Sequence, residues 1–169
     1  LAQAFGMTVI AYDPFAEAQS FVGTGVSDAP NLDAALARAD VVSLHIPGSP
    51  DGPLLGQREL SLMKPTAIVI NTARGELIDE SALDQALRSG HIAAAALDVL
   101  IEEPPRQHHP LLQNPRVTIS PHSAGLTREC AARMAVASVR NILDYFNGTI
   151  DRRLLVNDRE TAAVEKLSN

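Results

Sequence analysis

The sequence predicts a doubly wound α/β fold on a parallel sheet, and three observations carry that reading. Short β-branched runs alternate with helical patterns at the spacing of βα units. Several of the runs, such as AIVINTA at 67–73, are apolar nearly throughout, as strands covered on both faces are. The 169 residues, 46% of them hydrophobic, are enough to bury one substantial core.

The elements follow in order. LAQAFG at the start reads as the tail of a helix, and MTVIAY (7–12) is a strand that ends at Asp13-Pro14. After a Gly-containing stretch, LDAALARA (32–39) is a helix with Asn31 as its N-cap. VVSLHI (41–46) is a strand closed by Pro47-Gly48. GQRELSLM (56–63) is helical and stops before Pro65. AIVINTA is a third strand, ended by Gly75. DESALDQALRSG (79–90) is the cleanest helix: acidic residues fill its first turn, Leu83 and Leu87 lie four apart, and Gly90 stands at C′. IAAAALDV (92–99) and VTIS (117–120) are two more strands, and a long helix covers 126–147 up to Gly148. The segment 151–169 is polar and becomes a tail.

Charge and composition exclude several roles. Fourteen basic against twenty acidic residues leave a formal charge of −6 with no basic cluster, which argues against nucleic acid as a partner. No apolar run approaches the roughly 20 residues of a membrane helix. The single cysteine forms no internal disulfide, so a cytoplasmic protein is expected.

In parallel α/β sheets ligands bind beyond the carboxyl ends of the strands, so the residues there matter most. Asp13 follows the first strand. An acid at that point of a dinucleotide-binding fold accepts from the adenosine ribose hydroxyls and disfavours a 2′-phosphate; the plainer reading is a turn residue before Pro14. Arg74, in NTARG, offers a planar fork for a carboxylate, and Gly75 lets the backbone pass close to a ligand. Asp98 stands inside an apolar segment and needs partners or a role. Glu103 follows the same strand. His122 stands in SPHSAG, and a histidine can pass a proton to or from a substrate hydroxyl near neutral pH; the plainer reading is a loop histidine that hydrogen-bonds locally. An acid beside such a histidine stabilises its imidazolium, which suits proton donation during carbonyl reduction. Each residue alone has an ordinary structural explanation; an Arg, an acid and a His past three different strands form a constellation.

Other signals carry less. Val22-Gly23-Thr24-Gly25 lacks a third glycine and reads as a plain loop. The Asn147-Gly148-Thr149 sequon is explained by a helix C-cap. His108-His109 sit in a Pro-rich loop without further ligand spacing and read as solvated, so no metal is expected. Glu102 reads as part of a solvated acidic loop and Cys130 as a small packing residue.

The ordered motifs NTARGELIDESALDQALRSGHIAAAALDV, EEPP, HPLL and ISPHSAG resemble the NAD-dependent D-2-hydroxyacid dehydrogenases, the family of phosphoglycerate dehydrogenase and the glyoxylate/hydroxypyruvate reductases. The resemblance runs over 1–157 and implies a Rossmann-type fold. It implies that Arg74 binds substrate carboxylate and carbonyl, that Glu103 pairs with His122, and that His122 is the acid/base. It further implies that Asp13 holds the ribose and favours NAD over NADP. His45, Ile46, Pro47, Thr72, Ala73, Arg74, Asp98, His122, Ser123, Ala124 and Gly125 would line the cofactor. A small 2-hydroxy or 2-keto acid is the implied substrate, and a homodimer the implied assembly. Glu103 stands where formate dehydrogenases of the superfamily carry Gln. The segment 48–56 is about one residue shorter than the family pattern, and Leu100-Ile101 replaces a more usual aromatic-acidic pair. Dehydrogenase-like corepressors that bind NAD without turnover share the same motifs and form the rival reading, with an inactive truncated fragment as a third.

A G-x-G-x-x-G loop belongs roughly 20 residues before the ribose-binding acid, and Asp13 leaves no room for it. The expected fold therefore lacks its first strand and Gly-rich loop. In the order 3-2-1-4-5-6 that strand stands between 7–12 and 41–46, whose facing edges would be unpaired. The expected organisation is an NAD-binding domain over 1–150, incomplete at its N-terminus, and a C-terminal segment over 151–169 that returns toward a substrate domain. The chain alone is expected to bind NAD poorly and turn over little.

Overall fold

The computed structural model describes residues 1–17, 20–48 and 52–156. They fall into two compact units, Leu1–Ala124 and Gly125–Asn169. Each is described by itself.

Among the described residues the first unit holds six strands, all paired in parallel. β1 (Ile10–Ala11) pairs with β2 (Ser27–Asp28) in a two-stranded sheet. β3 (Val41–Leu44), β4 (Ile68–Asn71), β5 (Ala94–Leu97) and β6 (Val117–Ile119) form a second sheet in that order. No ladder joins β1 to β3 among the described residues, so each sheet ends on an unpaired strand there, as the expected strand order requires. The strands are shorter than the apolar runs that announce them: 10–11 within 7–12, 41–44 within 41–46, and 94–97 within 92–99. β2 is an addition to the expected elements. Its Ser-Asp pair has no strand propensity; the β1 backbone forms it, Val9 C=O accepting from Ser27 N–H and Ala11 C=O from Ala29 N–H. The preceding Gly-containing stretch is turn, with Gly23 and Gly25 at φ +77° and +72°. It is therefore the loop expected of it.

Helices α1 (Leu32–Arg38), α2 (Gln57–Ser61) and α3 (Glu80–Arg88) connect the strands. The Asn31 side chain caps α1 by accepting from Ala34 N–H at 2.8 Å. Asp79 caps α3 by accepting from both Ser81 and Ala82 N–H at 3.0 Å. Leu83 and Leu87 are fully buried, and Gly90, at φ +73°, ends the helix as expected. The core lies between these helices and the larger sheet: Leu36, Leu44, Leu60, Val69, Leu77, Leu83, Leu97 and Leu111 are each 5% exposed or less. A Leu55–Ile78 bridge ties the segment before α2 to the one before α3.

In the second unit, α4 (Arg128–Phe146) is capped by Thr127, whose hydroxyl accepts from Cys130 N–H at 3.1 Å. Gly148 follows its C-terminus at φ +69°, in the role assigned to it. Cys130 is half-buried, with its sulfur 3.8 Å from that of Met134. No described helix is long and apolar enough to cross a membrane.

Leu83 is the most diagnostic core position, because its helix covers the sheet from one well-capped surface. Leu83→Ala is expected to cost about 2–5 kcal/mol of unfolding free energy in urea titration. A loss under about 1 kcal/mol would mean that α3 is not anchored through this face.

Candidate active site

The ends of β4, β5 and β6 are neighbours: Asn71 lies in register with Leu97, and Leu97 with Ile119. The residues that follow these three strands are therefore brought to one sheet edge. Asn71, 1% exposed, shapes the first turn. Its side-chain carbonyl accepts from Ala73 N–H at 3.0 Å, and its amide donates to Arg74 C=O at 2.8 Å. Thr72 and Arg74 are thereby turned outward and are exposed, with Ala73 half-buried. Arg74 Nη1 donates to Ala73 C=O at 2.7 Å and makes no ion pair among the described residues. Its guanidinium faces solvent with most of its donors open to an anion.

Gly75 then passes directly under the next loop. A Cβ there would lie 2.1 Å from Leu100 C and 2.4 Å from Ile101 N, so only glycine fits. The contact seats the Arg74 turn against the loop that carries Glu103.

Asp98 follows β5 and is 4% exposed. Its Oδ1 accepts from the Ser120 hydroxyl and, at 2.9 Å, from Ser123 N–H; Oδ2 accepts from Ala124 N–H at 2.8 Å. Burial pushes this carboxyl upward. The donors from Ser120, Ala124 and Ser123 and the nearby His122 outweigh burial and hold it below the ordinary range. The loop after β6 is thus wrapped round a buried charge, and within it His122 adopts φ +51°. His122 is alone among the described non-glycine residues in the left-handed region, where a side chain is held at a cost only when its surroundings fix it.

His122 Nδ1 lies 2.7 Å from Glu103 Oε2. The other oxygen of Glu103 accepts from Leu100 N–H at 2.9 Å. The His122 hydrogen bond, then the Leu100 amide, hold the Glu103 carboxyl below the ordinary glutamate range. The His122 side chain is 54% exposed, and its Nε2 has no hydrogen-bond partner among the described residues. One ring nitrogen is oriented by a carboxylate and the other points outward, an arrangement able to exchange a proton with a bound molecule.

Other expected site residues are placed without being joined to this cluster. His45, Ile46 and Pro47 are exposed just past β3, and His45 Nε2 is 2.9 Å from Ser43 Oγ. Asp13, past β1, is exposed, and its Oδ1 accepts from Phe15 N–H at 2.9 Å, which also makes it the turn residue of the plainer reading. Gly125 begins the second unit and is exposed.

His109 corrects an expectation: it is not solvated but 14% exposed, with Nε2 3.0 Å from Glu80 Oε2. Its neighbour His108 is exposed, and Glu102 is exposed and paired with Arg106 at 2.8 Å. No cluster of metal-ligating side chains occurs among the described residues. Sequence reasoning missed Asn71, Ser120 and Glu80. Asn71 carried a readable signal, since an amide at the end of a buried apolar strand must find partners.

Comparison with known proteins adds to this geometry. Residues 1–124 match the family model described as "D-isomer specific 2-hydroxyacid dehydrogenase, NAD binding domain". The chain is 38% identical over 167 residues to a glyoxylate reductase of Aeropyrum pernix, covering 98% of this chain and 49% of that protein. It is 40% identical over 146 residues to a D-3-phosphoglycerate dehydrogenase of Methanocaldococcus jannaschii, covering 84% of this chain and 28% of that one. The crystal structure of the NAD-complexed D-isomer specific 2-hydroxyacid dehydrogenase from Lactobacillus delbrueckii ssp. bulgaricus is similar at TM-score 0.79 and 34% identity, covering 89% of this chain and 49% of that chain. The chain thus spans half or less of the length of these relatives.

The buried Asp98 sets an acid dependence. In the unfolded chain an Asp titrates near its usual value of about 3.9, and in the fold Asp98 titrates lower. Between the two values the unfolded state binds more protons, so stability rises with pH there. The contribution is complete above about pH 4 and is lost as pH falls through the folded value. The stability gap between wild type and Asp98→Asn, from urea unfolding, is expected to be widest above that pH and to narrow below it. A gap independent of pH would show that the Asp98 charge does not hold the loop.

Proposed function

The chain belongs to the D-isomer specific 2-hydroxyacid dehydrogenases, an NAD-dependent family, and on that premise we propose that its residues carry out the proton transfer and substrate anchoring of such an enzyme. The observation that carries the reading is the His122–Glu103 pair at 2.7 Å beside an exposed, unpaired Arg74 turn on the same sheet edge. When bound, NAD(H) supplies or accepts the hydride exchanged with the 2-carbon of the acid.

The residues past the strand ends suit a dinucleotide. The exposed His45, Ile46, Pro47, Thr72 and Ala124, the half-buried Ala73 and Ser123 and the buried Asp98 would line it, with Gly125 following in the chain. Asp13 would accept from the adenosine ribose, favouring NAD over NADP. The described chain contains no G-x-G-x-x-G loop to receive the pyrophosphate.

In the reductive direction, Arg74 grips the substrate carboxylate with two parallel hydrogen bonds and fixes the keto oxygen near His122. His122 donates a proton from Nε2 to that oxygen as negative charge develops on it. Glu103 holds the ring through Nδ1, fixing which nitrogen faces the substrate, and balances the positive charge before transfer. In the oxidative direction Nε2 takes the hydroxyl proton back. Whole-protein activity, a homodimer, and a 151–169 segment reaching back to a substrate domain belong to this proposal. So does weak NAD binding by the chain alone.

Two measurements test it on the full-length protein. With NADH and glyoxylate, hydroxypyruvate, 3-phosphohydroxypyruvate or pyruvate, at least one keto acid is expected to be reduced. His122→Gln should lower kcat by about two orders of magnitude or more and leave NADH affinity nearly unchanged. Reduction of none of the four acids, with NADH still bound, would favour a non-catalytic NAD-binding module. Unchanged kcat in the variant would remove His122 from the mechanism.

A further inference from the structure

Glu80, the first residue of α3, lies outside the residues assigned above, yet both of its oxygens are committed to the loop that carries Glu103. Oε1 accepts from Ile101 N–H at 2.8 Å, and Oε2 lies 3.0 Å from His109 Nε2. A carboxylate only accepts, so Nε2 carries the proton. Both side chains are largely buried, at 16% and 14% exposed. His109 Nδ1 is buried with no hydrogen-bond partner among the described residues, a cost that a histidine left in solvent would not bear. The neighbouring amide, Leu100 N–H, is held by Glu103 Oε1 at 2.9 Å. Two consecutive amides of one loop therefore rest on two carboxylates, one from α3 and one from Glu103. The Gly75 backbone closes the third side, against the same Leu100–Ile101 peptide.

We propose that the Glu80–His109 pair is a positioning unit for the acid/base: it fixes the Leu100–Ile101 peptide, so that Glu103 keeps one oxygen on Leu100 N–H and presents the other to His122. The proposal rests on the reading of His122 as acid/base. Two neighbouring charged groups have other hydrogen-bond partners, and one of them, Asp84, also faces the charge of His109. Asp84, one turn along α3, is bound by Arg88 Nε at 2.7 Å and Asn114 Nδ2 at 2.8 Å, and Arg106 is paired with Glu102. Glu80 touches neither substrate nor cofactor and acts only through Glu103.

The test uses the full-length protein. Glu80→Ala is expected to lower kcat for keto-acid reduction about tenfold or more, with KM for NADH within about twofold of wild type. Glu80→Gln keeps an oxygen for Ile101 N–H and should recover most of kcat. In a Glu103→Gln background, Glu80→Ala should add less than about twofold, because its effect passes through the residue already changed. A loss that multiplies fully in that background, an unchanged kcat, or a Glu80→Gln as impaired as Glu80→Ala would each overturn the proposal. A second readout needs no turnover: the ¹³C titration of the Glu103 carboxyl should move up toward the ordinary glutamate range in Glu80→Ala. If wild type reduces no keto acid, the functional reading fails by itself, and the Glu103 titration alone decides the positioning unit: an upward move supports it and none overturns it. Should Glu80→Ala not fold, His109→Leu takes its place, with the same kcat loss and titration shift expected; wild-type values for both would overturn it.

Discussion

A buried carboxylate without donors would cost several kcal/mol, and Asp98 escapes that cost only by drawing the loop after β6 around itself. Two successive backbone N–H groups and one hydroxyl converge on it, all from 120–124. A chain that must point those amides inward has few conformations left. The left-handed backbone of His122 is the residue of that restriction, and it turns the imidazole outward. His122 therefore stands where it does because of a charge at the end of β5, the strand next to β6 in both sequence and space.

The other parts of the site lean on the same logic of neighbouring strand ends. Asn71 ties down the Arg74 turn with its own side chain, and Gly75 sets that turn against Leu100–Ile101. Glu103 then spans from that peptide to His122. Every link is short, and none crosses the sheet. Parallel pairing supplies this economy: loops that follow adjacent strands emerge side by side, so groups nearly fifty residues apart can share one hydrogen-bond network.

Much of this was legible in the sequence. The α/β alternation, the cap Asn31, the buried Leu83 and Leu87 and the terminal glycines are local, and local chemistry decides them. The Arg, Glu and His past three strands were visible because their residue types conflict with a bland structural role when taken together. What escaped depends on partners distant in sequence. β2 forms from a Ser-Asp pair because β1 offers it hydrogen bonds. His109 looked solvated because its partner, Glu80, lies 29 residues earlier on a helix whose own pattern explains it fully. Asp98 was flagged as needing a role, and its donors on a loop 22 to 26 residues later could only be counted in three dimensions.

The tight passage of Gly75 beneath Leu100–Ile101 also bears on how this site can be re-engineered. Its neighbours Thr72, Arg74 and Glu76 face outward, so the packing under the loop does not restrict their side chains. Position 75 has no room for even one methyl group, so any library that varies it is populated mainly by chains whose Leu100–Glu103 loop has been displaced. The glycine divides the motif into an outward rim and a fixed axle, and only at the axle does the fold itself dictate the residue.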